Sequence, residues 1–198
     1  MKTSQKIYLP FKRVIGIIGS LIGIIICFSL IWWWVFIIDL FATKGHPIFF
    51  SKRVGQNNKV LKVIKFRSMK NDSNPNMNAG DEGVEESLTK FGKFLRVTSI
   101  DESLQLFNIL IGQMAFIGPR PLINAGTDSI TIQKRTENGS YKLKPGISGL
   151  AQLHARSDLD CIQKAEYDHE YLMKMSLFFD IKIFTLTILS IFGVNKGK

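Results

Sequence analysis

Hydrophobic and polar positions are spread very unevenly along this 198-residue chain. From Val14 to Ile38, VIGIIGSLIGIIICFSLIWWWVFII, 25 consecutive residues carry no charge. That is enough for a helix to cross a hydrocarbon core about 30 Å thick. The run exceeds the apolar region of a signal peptide and no small-residue cleavage site follows, so it reads as a retained membrane element. Trp32, Trp33 and Trp34 suit a place near the headgroups. Both flanks are basic: Lys2, Lys6, Lys12 and Arg13 precede the run, and eight Lys or Arg with no acid fall between Lys44 and Lys70. The bias of cations toward the cytoplasm asks for both flanks on one side. A hairpin entering and leaving the same face meets that demand, although the run has no proline and only Gly16, Gly19 and Gly23 as weak points.

Past this element the periodicity changes. HPIFFSKRVGQNNKVLKVIKFRSM predicts two short strands around a polar turn at Gly55–Asn58. Residues 71–87 are polar and poor in apolar side chains, which predicts a long surface loop or a lid. Leu88, Phe91 and Leu95, and again Leu104, Phe107 and Ile111, recur at helical spacing. A rigid turn, IGPRPL, leads to a polar helical stretch, the turn KLKPGISGLAQL and a helix through DCIQKAEYDHEYLMKM. The last apolar segment, SLFFDIKIFTLTILSIFGV, reads as a core helix or one lying in the membrane interface, the latter favoured by Lys174, Lys196 and Lys198.

Composition narrows the partner. A formal net charge of +10 points to something anionic: nucleic acid, a membrane surface or a phosphorylated substrate. Most aromatic residues sit at core spacing or in apolar runs, so stacking on nucleic acid is not predicted. Cys27 and Cys161 do not look like a disulfide pair, which fits a reducing, cytosol-facing location. His46, His154 and His169 lack zinc-site spacing. The sequon Asn138-Gly139-Ser140 reads as chance on a cytosolic face.

Candidate chemistry centres on Asp101-Glu102, two adjacent acids in a basic chain. Alone, Ser99-Ile100-Asp101-Glu102 is a good capping box, with Ser99 as cap and Glu102 returning a bond to its N–H. The company argues for more. Arg96 lies five residues earlier, Arg120 is held between two prolines in Gly118-Pro119-Arg120-Pro121, and Lys65 and Arg67 end a predicted strand. Arginine forks suit phosphate oxygens. Paired carboxylates among them suit a divalent cation shared with substrate phosphates, or direct attack on phosphorus.

The motifs GHPIFF, SKRVG and KFRSM, then LTKFGKFLRVTSIDE, GQMAFIGPRPL and KPGISGLAQ, resemble in order those of the monotopic bacterial phosphoglycosyl transferases. The likeness runs from about residue 12 to 185. It implies an α+β, predominantly helical fold. An N-terminal membrane-inserted, re-entrant helix (1–43) would precede a small cytosolic catalytic domain (44–198) with short strands and interfacial helices. It implies transfer of a sugar-1-phosphate from a UDP-sugar to a polyprenyl phosphate, with UMP released, at the cytoplasmic face of a bacterial inner membrane. Asp101 would be the nucleophile, Glu102 its partner in holding Mg²⁺, and Arg96, Arg120, Lys65 and Arg67 the phosphate-side cations. An N-acetylated or deoxyamino hexose is the expected sugar; homo-oligomerisation is left open. The chain departs from the family pattern at Ser103-Leu104 (usually Leu-Pro), Ser29-Leu30 (Ser-Pro), Gly16 (an acid) and His154-Ala155 (Asn-Gly). Two rivals stand beside this reading: a membrane glycosyltransferase that leaves UDP, and a basic anchor that binds acidic lipid or nucleic acid without catalysis.

Overall fold

The structure, a computed structural model, describes residues 2–73, 83–154 and 159–191. The centre of the predicted loop (74–82), Ala155 and the terminal Lys196 and Lys198 lie outside the described residues. The architecture is α+β and predominantly helical.

Helix α1 (Thr3–Cys27) runs through a π turn (Phe28–Trp32) into α2 (Trp33–Ala42). By length and composition this helix is able to cross a membrane. No tight break occurs at Ser29-Leu30. With no proline at this point each N–H here remains a donor, Ser29 Oγ donates back to Ile25 O at 2.8 Å, and the irregularity is absorbed as one wide turn. Both basic flanks nevertheless reach one folded unit. Lys12 pairs with Asp180 at 2.7 Å and Arg13 donates to the carbonyls of Ile109 and Leu110, while at the far end Asn71 Nδ2 donates to Thr43 O at 2.7 Å.

The glycines that read as weak points are a packing face. A Cβ on Gly19 would lie 2.8 Å from the Phe116 ring, and one on Gly23 3.0 Å from Leu106. Small residues here let the helix backbone lie close to its neighbours. Gly16, Ser20, Trp32, Val35 and Asp39 are buried on this side, and Ile15, Ile18, Ile22, Ile25 and Leu30 are exposed on the other.

Strands β1 (Ile48–Val54) and β2 (Val60–Phe66) form the predicted antiparallel hairpin, Ser51 opposite Val63 and Arg53 opposite Leu61. Asn57 and Asn58, at φ +56° and +57°, make the turn, a conformation that asparagine tolerates better than most residues. A short helix α3 (Val84–Ser87) precedes α4 (Lys90–Thr98), capped by Thr89 Oγ1, which accepts from Gly92 N at 2.8 Å. Helix α5 (Gln105–Leu110) follows a single 3₁₀ turn over Ile100–Glu102. Trp32, Val63, Phe66, Leu95, Ile109 and Met114 form the core that joins α1, the hairpin, α4 and α5.

The second half was less legible. GQMAFIG and KPGIS contribute β3 (Ala115–Ile117) and β4 (Gly146–Ser148), a parallel pair across 28 intervening residues, where the sequence predicted only turns. Gly118 and Gly146 allow this contact; a Cβ on Gly146 would lie 2.2 Å from Gly118 N. Between them lies α6 (Thr127–Asn138), and after them α7 (Leu150–His154), α8 (Cys161–Lys174) and α9 (Leu177–Ile191). Helix α9 buries Ile183 and Asp180 and exposes Phe178, Ile181 and Phe184. It is thus a core helix on one face and apolar on the open face. Both cysteines are free. The sequon asparagine is occupied: Asn138 donates to Ala165 O and accepts from Ser140.

Candidate active site

The capping box predicted for Ser99 and Glu102 does not form. Ser99 adopts φ +56°, ψ 18°, and ends α4 as its C-cap. Its N–H is already donated to Arg96 O at 3.2 Å, so Glu102 has nothing to cap. The left-handed residue also redirects the chain, and the following 3₁₀ turn brings both acids onto the β hairpin and the Gly118–Pro121 turn.

There Glu102 Oε1 meets Lys65 Nζ at 2.7 Å and Arg120 Nη2 at 3.7 Å. Burial alone would raise the Glu102 carboxyl, but Lys65 and then Arg120 overcome it and hold it down at about 2. Asp101 is 7% exposed. Burial first, and then the charge of Glu102, push it up to about 6, against the opposing pull of Lys65, Arg96 and Arg120. Two adjacent carboxyls are thereby split, one a fixed anion and one a comparatively basic carboxylate.

Each cation has an identifiable support. In-register partners share a sheet face, so Ser51, Arg53, Leu61, Val63 and Lys65 all lie on the inner side of the hairpin. Arg96, in the last turn of α4, donates from Nε to Ser68 Oγ at 3.1 Å. Helix α4 can lie against Ser68 only because residue 92, in its first turn, is glycine: a Cβ there would lie 1.8 Å from Ser68 O. Arg120 is positioned through its backbone. Its carbonyl accepts from Arg135 Nη1 at 2.9 Å, and Arg135 is itself fixed by a buried pair with Asp168, Nη2 to Oδ2 2.6 Å.

Of the predicted site residues, Asp101, Glu102, Lys65, Arg96 and Arg120 come together. Arg67 does not. It donates from Nε to His46 O at 2.8 Å and lies over the Phe49 ring. Arg53 is the cation that sequence reasoning missed. It lines the same cleft as Lys65, Glu102, Gln105 and Arg120, and its charge acts on Glu102. The signal was present in the alternation of β2: once the turn at 55–58 fixes the register, Lys65 and Arg53 must face the same way.

Among the described residues no group of three or more His, Cys, Asp or Glu could enclose a metal ion. The donor set still fits a cation held jointly with substrate. Lys65 and Arg120 both approach Oε1 of Glu102, which leaves Oε2 and the Asp101 carboxylate as oxygen donors of the kind Mg²⁺ takes alongside phosphate oxygens.

Four cations thus surround two split carboxylates beside a long apolar helix. The chain belongs to the bacterial sugar transferase family, whose model matches residues 7–194. It is 33% identical over 95% of its length to the galactosyl transferase CpsE of Streptococcus agalactiae, covering 43% of that protein. It is 38% identical over 79% of its length to a UDP-glucose:undecaprenyl-phosphate glucose-1-phosphate transferase of Klebsiella pneumoniae, covering 34%. With the uncharacterized sugar transferase EpsL of Bacillus subtilis the identity is 35%, over 77% of this chain and 73% of EpsL. The chain thus spans less than half the length of the first two.

Proposed function

We propose that this protein transfers a sugar-1-phosphate from a UDP-sugar to polyprenyl phosphate, through a covalent intermediate on Asp101. The observation that carries the proposal is the split carboxyl pair: Glu102 lines the cationic cleft, and Asp101 lies next to it within the field of Lys65, Arg96 and Arg120. A basic anchor that only binds acidic lipid gains nothing from two acids there, and less from one whose burial makes it a better nucleophile.

In the proposed sequence, a carboxylate oxygen of Asp101 attacks the phosphorus that bears the sugar. The bridging P–O bond breaks and UMP leaves with the electron pair. An oxygen of the lipid phosphate then attacks the same phosphorus, the acyl-phosphate bond breaks, and Asp101 is regenerated as a carboxylate. Only one phosphate-bearing partner besides the transferred group occupies the cleft at each step. At its pKa of about 6 Asp101 is mostly ionised at neutral pH, yet more basic than an exposed aspartate. Arg53, Lys65, Arg96 and Arg120 offset the charge of the phosphates and of the pentavalent transition state. Glu102 keeps Lys65 and Arg120 aimed into the cleft. Mg²⁺, held by Asp101 and Glu102 with the substrate phosphates, would supply further charge neutralisation.

The site would then lie on the cytoplasmic face of a bacterial inner membrane. Supporting this, both flanks of the apolar run are basic; the helix itself passes Ser29-Leu30 without reversing, so the hairpin expected from the charge pattern is not what the described residues show. The K. pneumoniae relative's name gives the acceptor its chemistry; the sugar is open.

The test mixes solubilised protein, Mg²⁺, a short polyprenyl phosphate and a panel of UDP-sugars, and separates UMP from UDP. UMP that requires both Asp101 and the metal is the expected result. UDP release would assign a glycosyltransferase, and turnover by Asp101→Asn equal to wild type would remove the nucleophile from Asp101.

A further inference from the structure

A second cavity, of about 250 Å³, lies beside α1 and shares no lining residue with the cleft around Glu102. Its body is apolar, including Gly16, Ile109, Met114 and Leu143. Its rim is not: Arg13, Lys142 and Lys144 line it, and among the described residues none of the three has an acidic partner within ion-pair distance. The fourth cation there, Lys12, is already neutralised by Asp180.

Cations gathered without an acid are unusual in a folded protein, because their mutual repulsion has to be offset. Here it is visible: burial, and then the charge of Arg13, lower the proton affinity of Lys144. The position is equally specific. Lys12 and Arg13 are the last charged residues before the apolar run begins at Val14, so the cavity straddles the level at which α1 passes from headgroups into hydrocarbon. Cations at the rim and an apolar body below match a phosphate diester with its attached chain. The volume falls under the roughly 300–1,000 Å³ of pockets that enclose whole drug-sized ligands, which argues against a second nucleotide-sugar site.

We infer that this cavity holds the headgroup phosphate of one anionic phospholipid of the surrounding bilayer, between Arg13, Lys142 and Lys144. The bound lipid would seal the joint between α1 and the β3–β4 pair, at a site separate from that of the acceptor lipid. The inference is independent of the reaction assigned to Asp101.

The test is native mass spectrometry of the delipidated full chain, titrated separately with phosphatidylglycerol, phosphatidylcholine and a polyprenyl phosphate. Expected is a single phosphatidylglycerol site that phosphatidylcholine does not fill. The double variant Lys142→Gln/Lys144→Gln weakens it about 20- to 30-fold, at roughly fivefold for each cation beside an anionic lipid. Arg13 is left intact because it also caps α5 through Ile109 O and Leu110 O. If the double variant melts early, Lys142→Gln alone, at an exposed side chain, still weakens the site about fivefold. Phosphatidylglycerol affinity unchanged in these variants overturns the inference. So does polyprenyl phosphate competing for the site and losing affinity in the same variants, since the cavity would then belong to the acceptor.

Discussion

Substituting the two acids one at a time should move stability in opposite directions, and this separates a built catalytic pair from a helix cap. Asp101 is raised from 3.8 to about 6 by folding. An acid raised on folding is penalised once ionised: the cost is absent below pH 3.8 and fully present above about 6. About two pH units at ~1.4 kcal/mol each give roughly 3 kcal/mol of strain at pH 7, which Asp101→Asn removes. Glu102 is lowered from 4.5 to about 2, so it stabilises the fold above pH 4.5 and loses that contribution as pH falls toward 2. Glu102→Gln therefore costs about 3 kcal/mol at pH 7, plus whatever follows from leaving Lys65 unpaired. At this chain length each corresponds to about 6–12 °C in Tm. The assay is thermal unfolding in detergent, in metal-free buffer, at pH 7 and pH 4. At pH 4 the Asp101→Asn gain should shrink to under ~1 kcal/mol, while the Glu102→Gln loss persists. Two shifts of the same sign, or an Asp101→Asn gain independent of pH, would refute the split environment. A loss on Asp101→Asn at pH 7 would refute it as well.

Other predictions follow from the same geometry. Titration of the Asp101 carboxyl in the metal-free protein should centre near pH 6, read by carboxyl NMR with Asp101→Asn as the assignment control. Lys65→Met should lower stability by about 2–4 kcal/mol, because it leaves the Glu102 carboxylate with only the 3.7 Å contact to Arg120; unfolding titration against Lys65→Arg checks it. Gly92→Ala should force α4 off Ser68 and depress transfer far more than UDP-sugar binding, since Arg96 moves with it; a kcat loss no larger than the KM change would count against this. Arg135→Met should destabilise by about 3–5 kcal/mol through the stranded Asp168, and Asp168→Leu combined with it should recover much of that stability without recovering activity, because Arg120 O has still lost its donor.

Local pattern was enough for much of this protein. Uninterrupted apolarity set the N-terminal helix, alternation around Gly55–Asn58 set the hairpin, and helical spacing found α4, α5 and α8, because these depend on backbone hydrogen bonds and side-chain periods within a few residues. The sequence also named five of the six residues that gather charge at the site. What it could not contain is which long-range partner wins. Ser99 and Glu102 have the letters of a capping box, but the left-handed turn at Ser99 uses the N–H it needs and sends Glu102 to Lys65, 37 residues away. Lys65 and Arg67 share one motif and part company where β2 ends. The parallel β3–β4 pair and the glycine face of α1 rest on close backbone contact between distant segments. The split of Asp101 from Glu102 is likewise set by burial and by charges brought from four other segments, quantities that exist only after the chain has folded.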